Sequence, residues 1–155
     1  MMLANKLFLS NRKAGFILSA MLLLFCTATF ADERIGLVKT YMPDGFVVRQ
    51  GIETALQTGS DIFQGDTIVT GQEGAVGIIF SDGAVLTLGP NCKLSIDNFL
   101  FNPSERQVSF VTRIIRGTVA FVSGAIGRIS PDSVQFQTPT ATLGLRGTKI
   151  LIEVK

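Results

Sequence analysis

Phe63 to Leu88, FQGDTIVTGQEGAVGIIFSDGAVLTL, is the stretch whose reading decides the fold. Thr67-Ile68-Val69-Thr70, Val76-Gly77-Ile78-Ile79-Phe80 and Val85-Leu86-Thr87-Leu88 are rich in β-branched and bulky apolar residues, which suit the pleated surface of a sheet. Three strands are expected. Glycine and acidic residues cut them apart: Gln64-Gly65-Asp66, Gly71-Gln72-Glu73-Gly74 and Ser81-Asp82-Gly83. The Asp82-Gly83 pair tolerates positive φ, so a tight reversal between the second and third strands follows. No apolar stripe of helical period crosses the block.

Working outward, the same rhythm holds. Ile35 to Thr40 and Phe46 to Gln50 read as strands on either side of Met42-Pro43-Asp44-Gly45, a turn in which proline presets φ and glycine is expected to take the positive φ. Gly51 to Gly59 reads as a loop with at most a short strand, and Cys92 to Ile96 as a strand after the breakers Gly89-Pro90-Asn91. Asn98 to Arg106 is expected to be a surface loop or hairpin tip. Gln107 to Ile115 and Thr118 to Val122 read as two strands flanking Arg116-Gly117, followed by a glycine-rich connection over Gly124 to Pro131. Val134 to Gln137 and Ile150 to Val154 complete the set. Strands recurring every 8 to 12 residues or so, with no amphipathic helix of three turns, define an all-β protein. Sandwich, barrel and β-solenoid all fit this pattern, since alternation fixes faces and leaves strand partners open.

The amino-terminal segment has a different character. Lys6, Arg12 and Lys13 precede an apolar run from Ala14 to Phe25, and Thr29-Phe30-Ala31 offers small residues at the two positions a signal peptidase requires. A signal peptide over residues 1–31 is expected, with cleavage after Ala31 and Ala28 as the second choice, leaving one domain over residues 32–155. Cys26 follows Phe25 rather than a small residue, which argues against lipid attachment. The alternative is an uncleaved inner-membrane anchor over Ala14 to Ala31, about the length at which a span becomes feasible. Only in that case would the protein hold to a membrane. Loss of residues 1–31 removes three of the 14 basic residues and none of the 12 acidic ones, which turns the net charge from +2 to −1. No electrostatic footprint for nucleic acid survives. Cys92 is then the single cysteine, so no intramolecular disulfide can form and a small buried hydrophobe is its expected role.

Histidine is absent, which removes the usual general base at neutral pH and the commonest metal ligand. A zinc site is not expected. Asp61, Asp66, Asp82, Asp97 and Asp132 are dispersed beside glycines, serines and strand ends, so they read as turn residues rather than as calcium ligands. A carboxylate pair for glycoside hydrolysis could in principle be built from Asp66 and Asp82, but sequence does not give their separation and nothing in it marks either as buried. Gly71-x-x-Gly74-x-x-Gly77 lacks the spacing and following helix of a dinucleotide site, and Leu145 to Lys149 lacks phosphate-loop spacing. No cofactor and no catalytic residue is expected. With no tryptophan and one tyrosine, Tyr41, little is left to build a sugar-stacking platform.

One set of residues carries a family likeness: Gly65, Asp66, Ile68 and Thr70, Ala75 to Phe80, Asp82 and Gly83, Leu86 to Leu88, Gly117 and Val119, and above all Thr138-Pro139-x-Ala141-x-x-Gly144-Leu145-Arg146-Gly147-Thr148. From about Ile35 to Val154 the chain resembles the FecR-like periplasmic domain. The resemblance implies an all-β, solenoid-like roll, with a β-sandwich as the alternative. In complete regulators of that family the domain senses an outer-membrane receptor and controls a sigma factor. It implies family-motif positions at Gly65, Asp66, Thr70, Asp82, Gly83, Gly117, Thr138, Pro139, Arg146, Gly147 and Thr148, structural or engaged in interaction. Arg146, beside the last strand, is expected to bond turn carbonyls or pair with an acid.

Residues 1–13 are too few to hold a sigma factor. The expectation is therefore a free-standing, non-catalytic periplasmic module of a Gram-negative envelope that binds an envelope protein. Two alternatives accompany it: a binder of cell-wall glycan, and a component of sigma-factor signalling that lacks a cytoplasmic region of its own.

Overall fold

The computed structural model describes residues 33–146 and 149–155, and the expected signal peptide lies outside them. Among the described residues twelve strands form: β1 (Arg34–Met42), β2 (Gly45–Arg49), β3 (Ile52–Ala55), β4 (Asp61–Phe63), β5 (Thr67–Thr70), β6 (Ala75–Phe80), β7 (Val85–Leu88), β8 (Lys93–Asn102), β9 (Gln107–Val122), β10 (Val134–Gln137), β11 (Thr142–Gly144) and β12 (Lys149–Val154). A five-residue helix, α1 (Ala125–Ile129), lies between β9 and β10. The all-β expectation holds, and the strands build one continuous sheet curled into a half-barrel roll.

The roll has two halves joined by the 16-residue β9. One half runs β4-β1-β6-β7-β9-β12 and is antiparallel throughout. The other runs β3-β2-β5-β8-β9-β10-β11, with β9–β10 its parallel ladder. The chain moves repeatedly from half to half, at the β1–β2, β3–β4, β4–β5, β5–β6 and β7–β8 connections, and the Gly and Pro clusters seen in the sequence supply the corners at β1–β2, β5–β6 and β7–β8.

β9 passes from one half to the other through a bulge. Lys93 pairs with Arg116 while Leu94 pairs with Ile114, so one extra residue sits on β9. Before the bulge Val108, Phe110, Thr112 and Ile114 are buried; after it the buried positions are Val119 and Phe121. An inserted residue shifts the two-residue side-chain period by one step, so β9 keeps its apolar residues on the concave side as it bends. Gly117, at φ +94°, stands at this bend. A Cβ there would lie 2.5 Å from Cys92 Cα, so the close approach itself requires glycine.

The core gathers apolar side chains from both halves. Phe110 of β9 is its hub, with ring centroids 4.9 Å from Phe80, 5.7 Å from Phe99, 5.3 Å from Phe121 and 6.0 Å from Phe136. Phe80 and Phe121 come from one half, Phe99 and Phe136 from the other. Edge-on and tilted ring contacts add to the burial of large apolar areas, so this cluster binds the two halves together.

Several expectations need correction. At the β1–β2 turn the positive φ falls on Asp44 (+75°), and Gly45 already belongs to β2. Asn98 to Asn102 continues β8 instead of forming a loop, and the hairpin tip shrinks to Pro103–Arg106. Gln107 to Val122 is one strand, because Gly117 bends the ladder without ending it. β4 and β11 form where no strand was expected.

Candidate functional site

Most of the family-motif residues stand at corners, and their polar atoms have partners there. Gly65 takes φ +87° in the β4–β5 turn and donates its N–H to the Ile96 carbonyl at 2.8 Å. Asp66 follows it and is fully buried. Its Oδ1 accepts Arg49 Nε at 2.7 Å; its Oδ2 accepts Arg49 Nη2 at 2.8 Å and the Phe63 N–H at 2.9 Å. This is a bidentate, charge-assisted pair, the geometry in which a guanidinium holds a carboxylate best. Arg49 Nη2 also donates to the Asp61 carbonyl at 3.1 Å, and the guanidinium lies 4.3 Å from the Phe63 ring centroid. Arg49 closes β2, while Asp61 and Phe63 belong to β4 at the far end of the other half, so one side chain fastens the two halves of the roll together.

Asp82 performs a related task at the β6–β7 turn. It is buried; Oδ1 accepts the Ala84 N–H at 2.9 Å and Oδ2 accepts the Ile126 N–H at 3.2 Å, while its carbonyl accepts the Ala125 N–H at 2.9 Å. The carboxylate thus satisfies an otherwise orphaned donor at the start of α1. Gly83 completes the turn at φ +81°. Both aspartates are turn residues as expected, but both are buried, which the sequence did not mark. Each of their four side-chain oxygens already accepts a hydrogen bond from the protein, an arrangement for holding backbone rather than for moving protons.

Thr70, Cys92 and Gly117 come together at a third corner. Thr70 Oγ1 donates to the Gly89 carbonyl at 2.6 Å and accepts the Cys92 N–H at 2.9 Å, and its own N–H reaches the Cys92 carbonyl at 2.9 Å. Cys92 is a free, buried thiol pushed up to about 11 by burial, with the Arg116 charge pulling partly the other way. A neutral thiol under a glycine bend is a packing residue, not a nucleophile.

The late motif divides differently. Thr138 Oγ1 donates to the Ala141 carbonyl at 3.1 Å and accepts the Ala141 N–H at 3.0 Å, closing the turn that begins with Pro139 between β10 and β11. Arg146 is exposed, and among the described residues no hydrogen bond or ion pair reaches it. The arginine that organises the roll is Arg49, which the sequence reading did not single out; its single cue is a cation closing a short strand just before the Gln50-Gly51 turn. Gly147 and Thr148 lie outside the described residues.

A groove of about 300 Å³ lies between the β10–β11 turn and β12, lined by Thr138, Pro139, Thr140, Leu143, Ile152, Glu153, Val154 and Lys155. It carries hydroxyls, aliphatic surface and the charged Glu153 and Lys155, and no aromatic ring on which a sugar could stack. Among the described residues no group of three or more His, Cys, Asp or Glu side chains is placed to hold a metal ion, and no helix is long and apolar enough to cross a membrane.

The described motif side chains other than Arg146 thus serve the corners of a curled all-β roll whose end strands β3, β4, β11 and β12 each pair on one side. Residues 66–155 match the family model described as FecR protein, more than half of the chain, and the chain belongs to that family. Neither a curated protein nor a solved structure matches it. The matched residues begin at Asp66, yet β1 to β4 belong to the same roll, and they and the β3–β4 connection place Ile35, Val38, Val47, Leu56 and Ile62 in its core.

Proposed function

We propose that the chain is a non-catalytic periplasmic module that senses or relays the state of the envelope by binding an envelope protein, within FecR-type signalling between an outer-membrane receptor and a sigma factor. Family membership over residues 66–155 carries this reading. The route for binding is an open sheet edge. β3 ends its half of the roll, all four of its residues are exposed, and Ile52 is 68% exposed. Such an edge presents unpaired backbone donors and acceptors, and an extended segment of a partner adds to it as a further strand.

Crosslinked pull-downs from envelope extracts test this. The expected result is recovery of a discrete envelope protein with the native chain and its loss with Ile52→Glu, which adds a second carboxylate to the edge beside Glu53. Recovery of no protein, or co-sedimentation with purified peptidoglycan in its place, overturns the reading.

A further inference from the structure

β12 is the longest of the edge strands. Among the described residues it pairs only with β9, so its other side, six residues long against four in β3 and three each in β4 and β11, has no strand partner, and the β10–β11 turn borders its last residues across the groove. Its residues alternate: Lys149, Leu151 and Glu153 point outward, while Ile150, Ile152 and Val154 face the core side. Leu151 is 72% exposed, more than Ile52 or the other exposed large apolar residues of the described chain.

Edge strands are usually protected from pairing by charged side chains; on β12 the two exposed charges are of opposite sign and complement a second copy. Lys149 and Glu153 lie two residues to either side of Leu151 on one face, so a second copy running antiparallel and centred on Leu151 places Lys149 opposite Glu153 of the other copy, twice. Leu151 then meets its own counterpart, and Ile150 meets Ile152. Opposite charges directly across an antiparallel pair stabilise it, as do paired aliphatic side chains. β3, by contrast, carries Glu53 with no basic residue to answer it.

We propose that β12 is a homodimer edge: two copies of the chain join β12 to β12 in antiparallel register about Leu151, with a two-fold axis through that pair, so that the half-sheet β4-β1-β6-β7-β9-β12 continues into its partner. The contact is isologous and therefore closes at two copies. It leaves β3 free in each, so it stands independently of the proposal for an envelope partner.

Sedimentation equilibrium of the secreted protein, purified from cells that express the whole chain, provides the test. A dimer is expected at tens of micromolar. Glu153→Lys, which sets lysine against Lys149, weakens it at least tenfold, and the charge swap K149E/E153K restores it, a recovery that general loss of folding does not give. Independently, Leu151→Cys forms an intermolecular disulfide under mild oxidation, because antiparallel partners across a strand pair have Cα atoms about 4.5 to 5.5 Å apart, while buried Cys92 does not. A monomer at all concentrations, a dimer unaffected by Glu153→Lys, or no crosslink through Leu151→Cys overturns the proposal.

Discussion

Arg49 holds both oxygens of the buried Asp66 carboxylate, at 2.7 and 2.8 Å, one register step beyond the Val48–Thr67 pair of the neighbouring strands β2 and β5. The pair is lopsided: the arginine side chain is 39% exposed and the aspartate side chain 0%. Removing Arg49 strands a charge in the interior, whereas removing Asp66 leaves a cation that water still reaches. Arg49→Ala is expected to destabilise by about 3 to 5 kcal/mol. Asp66→Asn keeps one acceptor for the Phe63 N–H and is expected to cost about 1 to 3 kcal/mol. Urea unfolding of both variants checks the order, and equal losses would contradict the buried, one-sided geometry.

Glycine at the bend of β9 serves a different need from glycine at a turn. Gly83 at φ +81° has open space where a Cβ would stand, so Gly83→Ala carries backbone strain alone, about 1 to 2 kcal/mol. Gly117→Ala adds a clash with the backbone of Cys92 to a similar strain. A loss of more than about 3 kcal/mol is expected there. Thermal unfolding of the two variants side by side separates strain from crowding.

Two buried threonines should respond in opposite ways. Thr70→Val leaves the Gly89 carbonyl and the Cys92 N–H without their hydroxyl partner, for an expected loss of about 2 to 3 kcal/mol. Thr112 is equally buried, but its Oγ1 has no hydrogen-bond partner. Thr112→Val removes a desolvated hydroxyl at nearly constant shape, so it is expected to be neutral or to stabilise by about 1 kcal/mol. Chemical denaturation midpoints decide both.

Burial raises the Cys92 thiol from 9.0 to about 11. Folding therefore favours the protonated thiol: its contribution is intact below pH 9 and is lost as pH rises through 9 towards 11, for a total on the order of 2 to 3 kcal/mol. The native protein should resist thiol reagents at pH 8 and react stoichiometrically once unfolded. Stability measured from pH 8 to 11 should fall less in Cys92→Ala than in the native chain.

The parts of this fold that depend on neighbouring residues were legible in the sequence. β5, β6 and β7 follow from β-branched runs cut by Gly71 to Gly74 and Asp82-Gly83, and the late Thr138-Pro139 and Gly147-Thr148 pairs carried the family likeness. What depends on distant residues was not legible. Asp66 is buried because Arg49 reaches it from the neighbouring strand, and Asp82 because Ile126 of α1 meets it 44 residues later. β9 looked like two strands because a glycine inside a ladder and a glycine ending one have the same local signature. β8 runs through Asn98 to Asn102 because β9 supplies its partner, whatever the asparagines prefer on their own.

The direct test of the division between scaffold and surface is envelope-partner capture measured beside unfolding for Ile52→Glu and Asp66→Asn. The expected result is that Ile52→Glu keeps the native unfolding midpoint and loses the partner, while Asp66→Asn lowers the midpoint and, where still folded, keeps it. Loss of capture by folded Asp66→Asn together with full capture by Ile52→Glu would contradict the account, by placing recognition in the corner residues rather than at the β3 edge.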